Sequence, residues 1–338
     1  MNVIDSSILG HDVIRKPVPT FRHHALVWMP SMNLRHLRYF VALAREGHHG
    51  RAAAACHVTQ PTLTEAIKQL EAELRVPLID RGGQRFRGLT EEGRRVLGWA
   101  HLILSDQDGL EQDLIEMKQG LTGRLRLGVI PAAMAAAPLV VTPFCRQYPK
   151  VSVQIDSMTS VQIQRGLDEF ELDAGLTYLD NEPLKNVRSL PLYQERYVLL
   201  TAQPHVFAGL DRVSWYDAAQ MPLCLLSPSM QNRRIIDRII QEAGAAPAAP
   251  RMESPSMLAI CAHVRMGEWS SIVPHSLLAA LGGGLRAVPL DRPSAFQTVG
   301  LVASDRDPLS PIARAFLAAS GTVDVAAGLA DGMDSMTH

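Results

Sequence analysis

The chain has 338 residues, a formal net charge of -1 and a hydrophobic fraction of 47%. That length suits two or three ordinary globular domains, and the composition fits neither a fibre nor a disordered chain. No apolar run reaches the roughly 18 residues that a transmembrane helix needs.

Residues 1–31, ending "HHALVWMPS", mix proline, histidine and charge. They lack the apolar core and small-residue cleavage site of a signal peptide, so they read as a poorly ordered extension. Met32 is a second candidate start, and a cytoplasmic location is expected. The four cysteines, Cys56, Cys145, Cys224 and Cys261, show no C-x-x-C spacing. Neither a disulfide framework nor a zinc site is expected, and free thiols fit a reducing compartment. The adjacent pairs His23-His24 and His48-His49 do not share a helix face, so no chelating site is expected. No cofactor is expected either.

Between Asn33 and Thr90 stand nine Lys/Arg against five Asp/Glu. A basic module on a near-neutral chain suits a polyanion at one end, although charge alone also suits a solvated surface. Leu34, Leu37, Phe40, Val41 and Ala44 recur at helical spacing and predict a helix over 34–46, stopped by Gly47. "RAAAAC", at 51–56, is a short helix whose small side chains permit a close crossing. His57-Val58 make a turn. Thr59 then caps a third helix, and Pro61 falls in its first turn, where no intrahelical bond is lost. Leu63, Ile67, Leu70 and Leu74 form its buried stripe, leaving Gln60, Thr62, Thr64 and Lys68 off it.

Three such helices make a helix-turn-helix with an exposed tip suited to the DNA major groove. Glutamine can pair with adenine, threonine can touch a thymine methyl, and lysine can neutralise a phosphate. The expected DNA-facing set is Arg51, Thr59, Gln60, Pro61, Thr62, Thr64 and Lys68. "PLIDRGGQRFRGLT" reads as a hairpin wing that adds Arg81, Arg85 and Arg87 near phosphate.

Thr90 caps the next helix, with Glu91 and Glu92 in its first turn. Val96, Ala100, Ile103, Gln107, Leu110, Leu114 and Met117 alternate at spacings of four and three, a heptad seam with one polar break. Its apolar members are the expected dimerisation residues; packing against its own domain is the other reading.

Beyond Gly123 the pattern changes to short strands alternating with helices. Strands are expected at 124–130, 151–157, 173–178, 196–201, 223–226, 270–274, 285–290 and 298–304. Helices are expected at 138–148, 161–170, 232–243, 256–266 and 311–319. That rhythm predicts α/β subdomains with mostly parallel sheets.

"LRHLRYFVALAREGHHGRAAAACHVTQPTLTEAIKQLEAELRVPLIDR" with "LTEEGRRVL" resembles the winged helix-turn-helix and linker helix of LysR-type transcriptional regulators. "LRLGVI", "YPKVSVQI", "LDAGLTY" and "SSIVP" resemble landmarks of that family's effector domain. The resemblance runs from Met32 over nearly the whole chain. It implies a homodimer or dimer of dimers on double-stranded promoter DNA, with no membrane partner. It also implies a periplasmic-binding-protein-like body of two Rossmann-like subdomains with a small-molecule cleft between them.

The implied division is a winged module at 32–90, a linker helix at 91–121 and an effector domain at 122–322. Subdomain I takes 122–200 and 299–322, subdomain II takes 201–298, and 323–338 is a tail. The crossings are expected near Thr201 and Val299. Effector contacts carried over are Ile130, Pro131 and Ala132 after the first strand, Thr159 after the second, and Ser229, Met230, Gln231 and Asn232 at a helix entrance suited to an anion. The stretch 227–232 also reads as a plain helix cap, and Trp269 either lines the cleft or belongs to the core.

There are departures. Glu65 stands where many relatives carry a basic residue. His48-His49-Gly50 replaces a Ser-Phe-Thr type of sequence, which removes an aromatic ahead of helix two. The first cleft loop, ending at Met134, lacks a hydroxyl. Redox-sensing members carry a cysteine after the strand that opens subdomain two; "LSPSMQNRR" has none. "YLDNEPL" and "PSMQNRRIID" are similar to regulators associated with formate dehydrogenase operons. An α/β enzyme is the competing reading, but no G-x-x-x-x-G-K-[ST], G-x-G-x-x-G or G-x-S-x-G is present. A periplasmic-type binding protein is a third, and the basic module argues against it.

Overall fold

The computed structural model describes residues 32–81, 86–203, 207, 209–246, 248–281 and 284–334. The extension expected at 1–31 and the wing tip with Arg85 lie outside the described residues, as does the side chain of Arg81. Two compact units meet in sequence between Gly93 and Arg94.

The first unit opens with α1 (Leu34–Glu46). Asn33 caps it, accepting from Arg35 N at 2.9 Å, and Gly47 ends it at φ 62°, a left-handed turn that glycine adopts without steric cost. Next, α2 (His49–Ala55) starts two residues ahead of the expected position. His48 is the reason: its ring Nδ1 accepts from Gly50 N at 3.0 Å, as a serine cap does elsewhere. Then α3 (Gln60–Leu74) buries Leu63, Ile67 and Leu70. Each such side chain contributes about 1.5–3 kcal/mol of burial. The hairpin pairs β1 (Ile79–Arg81) antiparallel to β2 (Phe86–Leu89).

The start of α4 (Glu91–Gln119) is pinned by Thr90. Its hydroxyl donates to Pro77 O at 2.7 Å and accepts from Gly93 N at 2.8 Å. A Cβ on Gly93 would sit 2.1 Å from the Leu78 carbonyl oxygen, so only glycine fits there. The spacing from Thr90 to Gly93 thus has a local packing cause.

In the second unit a five-stranded sheet has the order β4-β3-β5-β13-β6. It is built from β3 (Gly123–Val129), α5 (Ala137–Gln147), β4 (Val151–Ser157), α6 (Ser160–Asp168), β5 (Ala174–Tyr178) and β6 (Val187–Glu195). The chain then forms β7 (Tyr197–Thr201), β8 (Val213–Ser214), α7 (Trp215–Ala219), β9 (Cys224–Leu226), α8 (Gln231–Glu242), β10 (Met252–Ser254), α9 (Met257–Arg265), β11 (Ser271–Pro274) and β12 (Arg286–Asp291). A four-stranded sheet runs β11-β7-β12-β8, and the parallel β9–β10 pair adjoins β11 through a Leu223–Ser270 bridge. Return to the first sheet is by β13 (Gln297–Ser304), followed by α10 (Pro311–Ser320) and α11 (Val325–Asp334).

Four expectations are corrected. The sheets are mixed rather than mostly parallel: β13 returns from the other subdomain and so lies antiparallel to β5 and β6, and β7 is antiparallel to both its neighbours. The outward crossing falls at Arg196, not Thr201, because β7 is a central strand of the second sheet and the unforeseen β6 edges the first. The return falls between Asp291 and Gln297, ahead of Val299. Finally, the tail expected from 323 contains α11, whose Val325 and Leu329 are buried in the core.

Candidate nucleic-acid interface and effector cleft

Thr59 caps α3 as expected, accepting from Thr62 N at 3.4 Å and sharing a 2.8 Å bond with the Thr62 hydroxyl. Gln60, Pro61, Thr62, Lys68 and Arg87 are exposed. Three members of the expected set are held by neighbours. Lys68 pairs with Glu65 at 3.9 Å, so the family departure at 65 offsets part of that charge. Arg51 leans back on Glu46, at 3.7 Å from its carboxylate. Thr64 is half-buried, its hydroxyl 3.4 Å from His49 Nδ1. His49 also meets the Phe86 ring edge-on at 6.5 Å, so a histidine ring supplies an aromatic contact to the wing.

Within the second unit, α4 turns its polar side to its own domain. Arg306, set over the Phe170 ring at 5.1 Å, donates to the Ser105 hydroxyl at 2.5 Å and pairs with Asp106 at 3.4 Å. Arg314 pairs with Asp113 and Glu116, both at 3.3 Å. Along the seam, Ala100 is buried and Val96 and Ile103 are half-buried. Leu110 (61%), Leu114 (51%) and Met117 (84%) stand open to solvent.

Between the subdomains, Ile130, Pro131, Ala132, Thr159, Met230, Gln231 and Asn232 line one enclosed cavity of about 10 Å³. That volume holds about one water. Ser229 does not line it; Ser160 and Leu226, missed in the sequence, do. The two helix entrances facing the cavity differ. Thr159 closes α6 with a capping box: its hydroxyl accepts from Gln162 N at 3.2 Å and donates to Gln162 Oε1 at 3.1 Å. Its hydrogen-bonding capacity is therefore largely spent within the cap. At α8, Met230 offers no side-chain cap. Gln231 Oε1 and Asn232 Oδ1 are buried there without a protein partner. Trp269 stacks on His263 at 5.5 Å and packs against the core, away from the cavity lining.

The same helix ties the two subdomains together. Asn232 Nδ2 donates to the Tyr178 hydroxyl at 2.9 Å, and Gln231 Nε2 donates to Asp180 O at 3.4 Å. Arg238 donates to Asn181 Oδ1 at 2.5 Å, and Arg234 forks onto Glu182, with Nε 2.8 Å from Oε1. The quoted stretches "YLDNEPL" and "PSMQNRRIID" are thus the two halves of one cross-cleft latch. Burial, reinforced by the charge of Glu195, pushes the Tyr178 phenol well above its usual range, so it remains a neutral hydroxyl. Arg234 holds the Glu182 carboxyl below the usual carboxylate range. Arg233, by contrast, points into its own subdomain and binds Asp237 and Glu253.

Beside the outward crossing, the fully buried Glu195 receives bonds from the Tyr193 hydroxyl (3.0 Å), the Ser276 hydroxyl (2.7 Å) and Ser276 N (3.2 Å), and its Oε1 lies 2.5 Å from His275 Nδ1, an atom that also accepts from Arg196 N at 3.0 Å. Three donors and the ring nitrogen thus surround the carboxylate. Cys224 and Cys261 are buried free thiols, pushed by that burial up to about 11.

Residues 34–94 match the family described as bacterial regulatory helix-turn-helix protein, lysR family, and residues 118–323 match the LysR substrate binding domain. The chain belongs to the LysR family. It is 31% identical over 196 residues to the hydrogen peroxide-inducible genes activator of Pectobacterium carotovorum subsp. carotovorum, covering 58% of this chain and 64% of that one, just under two thirds of the relative's length. It is 27% identical over 281 residues to the DNA-binding transcriptional dual regulator OxyR of Escherichia coli (strain K12), covering 82% of this chain and 91% of that one. Among solved structures, a full-length OxyR variant from Pseudomonas aeruginosa superposes with a TM-score of 0.69 at 26% identity, over 87% of this chain and 96% of that one. The chain thus carries a lysR-family helix-turn-helix domain and a LysR substrate binding domain, and the relatives named above are transcriptional regulators. No helix among its described residues is long and apolar enough to cross a membrane.

Proposed function

We propose that this LysR-family regulator binds promoter DNA as a homodimer or dimer of dimers and responds to a small anion held between its subdomains. The observation that carries the effector reading is the uncapped entrance of α8, which faces a cavity shared by both subdomains. Backbone N–H groups at a helix start favour a carboxylate or inorganic oxyanion. The Gln231 and Asn232 amides, turned over, add donors of their own. A cavity of about 10 Å³ admits no metabolite unless the subdomains part, so binding works against the latch. A ligand that prefers the parted arrangement shifts the balance of states, typically by 1–3 kcal/mol, roughly 5- to 150-fold.

A peroxide response like that named for the relatives fits less well. The stretch just after β9, 227–234, holds no cysteine, and a thiol raised to about 11, as in Cys224, is roughly one part in ten thousand thiolate at neutral pH. The latch sequences, similar to regulators of formate dehydrogenase operons, make such an operon's promoter the first DNA to try. Exposed Leu110, Leu114 and Met117, on a helix whose polar side is already taken, support a second copy on the seam.

Binding of the full chain to that promoter fragment should weaken steeply with salt, with Gln60, Thr62 and Lys68 contributing at the tip. Leu114→Glu should convert the dimer to monomer in sedimentation, because an unpaired charge in an apolar seam is costly. Salt-insensitive binding would overturn the DNA reading, and an intact dimer in the variant would move the interface elsewhere.

A further inference from the structure

Both crossings between the subdomains and the C-terminal helix α11 border one groove that the cleft does not use. Its larger chamber, about 520 Å³, is lined by Arg196 at the outward crossing, by Phe296 at the return, by Arg212 and His275, and by Ala326 and Ala330 of α11. A second chamber of about 490 Å³ shares Arg196, His275 and Ala326 and continues past Leu192 and Leu329. These volumes fall in the range of small-molecule sites.

Charge and shape agree on the occupant. Neither the Arg196 nor the Arg212 guanidinium has a carboxylate partner among the described residues, whereas eight other arginines of this unit do. Glu195, the buried acid nearest the crossing, is fully taken up by Tyr193, Ser276 and His275. Two guanidiniums without a carboxylate partner on the wall of one chamber suit a carboxylate, which guanidinium binds in a planar two-point fashion. Val198, Leu290, Ala295, Ala326 and Ala330 supply apolar wall beside His275 and Ser294, and Phe296 keeps 52% of its surface exposed. A hydrocarbon body laid along α11 would cover that surface.

We infer that this groove is a second ligand site, for an amphipathic monocarboxylate whose head sits between Arg196 and Arg212 and whose apolar body lies against Phe296 and α11. The inference does not depend on the cleft reading, since the groove shares no lining residue with the cleft cavity. A molecule held by both crossings also contacts the segments that must bend when the subdomains reorient.

The test is calorimetry on the full chain with sodium octanoate, against octan-1-ol as the uncharged probe of equal length. Octanoate should saturate at one equivalent per chain and bind at least tenfold tighter than octanol. The double variant Arg196→Gln, Arg212→Gln should lose at least tenfold for octanoate and leave octanol unchanged; both positions are exposed, so folding is not at stake. Ala326→Leu, which narrows the neck shared by both chambers, should weaken both probes. Gln231→Ala, in the cleft, should change neither. Equal affinity for the two probes, wild-type octanoate binding by the double arginine variant, or loss through Gln231→Ala with retention in the arginine variant would each overturn the site.

Discussion

Two helices of this protein open with glutamine, and their fates are opposite. Gln60 begins α3 in solvent, behind a threonine cap, above a stripe of buried leucines. Gln231 begins α8 with 3% of its surface exposed, behind a methionine that caps nothing, under the opposite subdomain. The side chain and the helix position are alike. A polar group at an open helix start can read another molecule, whereas the same group under a second subdomain closes a cavity and holds two bodies together. Location relative to the rest of the chain assigns the role.

The largest effect that can break this contrast comes from the support of the exposed tip. Leu63 is fully buried beneath it, and Leu63→Ala should cost about 2–5 kcal/mol in denaturant unfolding of the first unit. DNA binding should fall with it while the second unit keeps its own transition; a single unchanged transition would mean that the stripe does not hold the tip. Next in size is the glutamine itself. Gln60→Ala should lose roughly 1–3 kcal/mol of discrimination at one base pair, seen as a flattened preference in binding to single-base operator variants. Gln231→Ala should leave those preferences untouched and change effector affinity, so identical behaviour of the two variants would erase the contrast.

The smallest effect belongs to the latch. Arg234 and Glu182 are about one third and two fifths exposed, so Arg234→Ala should cost no more than about 1 kcal/mol. The sign with pH follows from the depressed Glu182 carboxyl. Its contribution is fully present above the ordinary carboxylate range and is lost as pH falls through the lower folded value. An NMR titration of that carboxyl should move up toward the ordinary range in Arg234→Ala. No movement would show that the arginine does not hold it.

Much of the first unit was legible in the chain. The helix at 34–46 and the cap at Thr59 follow from periodicity and local capping, which need only residues three or four places apart. The start of α2 was misplaced because an imidazole cap is not part of the ordinary capping pattern. In the second unit the strands of the βα rhythm were visible, but β6 was not, since Pro191 interrupts its alternation. Missing it displaced the crossing from Arg196 to Thr201. Residues of the cleft were largely placed by family resemblance, while Ser160, Leu226 and the partners in the latch carried no local signal.

The sequence by itself determined the helices of the helix-turn-helix and the apolar repeat on α4, because each depends on neighbours close along the chain. Only the tertiary structure decided that α4 turns Asp106, Asp113 and Glu116 inward to Arg306 and Arg314 and leaves Met117 outside. It alone decided that Thr159 spends its hydroxyl on its own helix, and that Tyr178 and Asp180 meet Asn232 and Gln231 some fifty residues later. Such pairings are set by how two sheets are joined through Arg196 and the 292–296 return, and chain connectivity of that range leaves no periodic trace in the residues themselves.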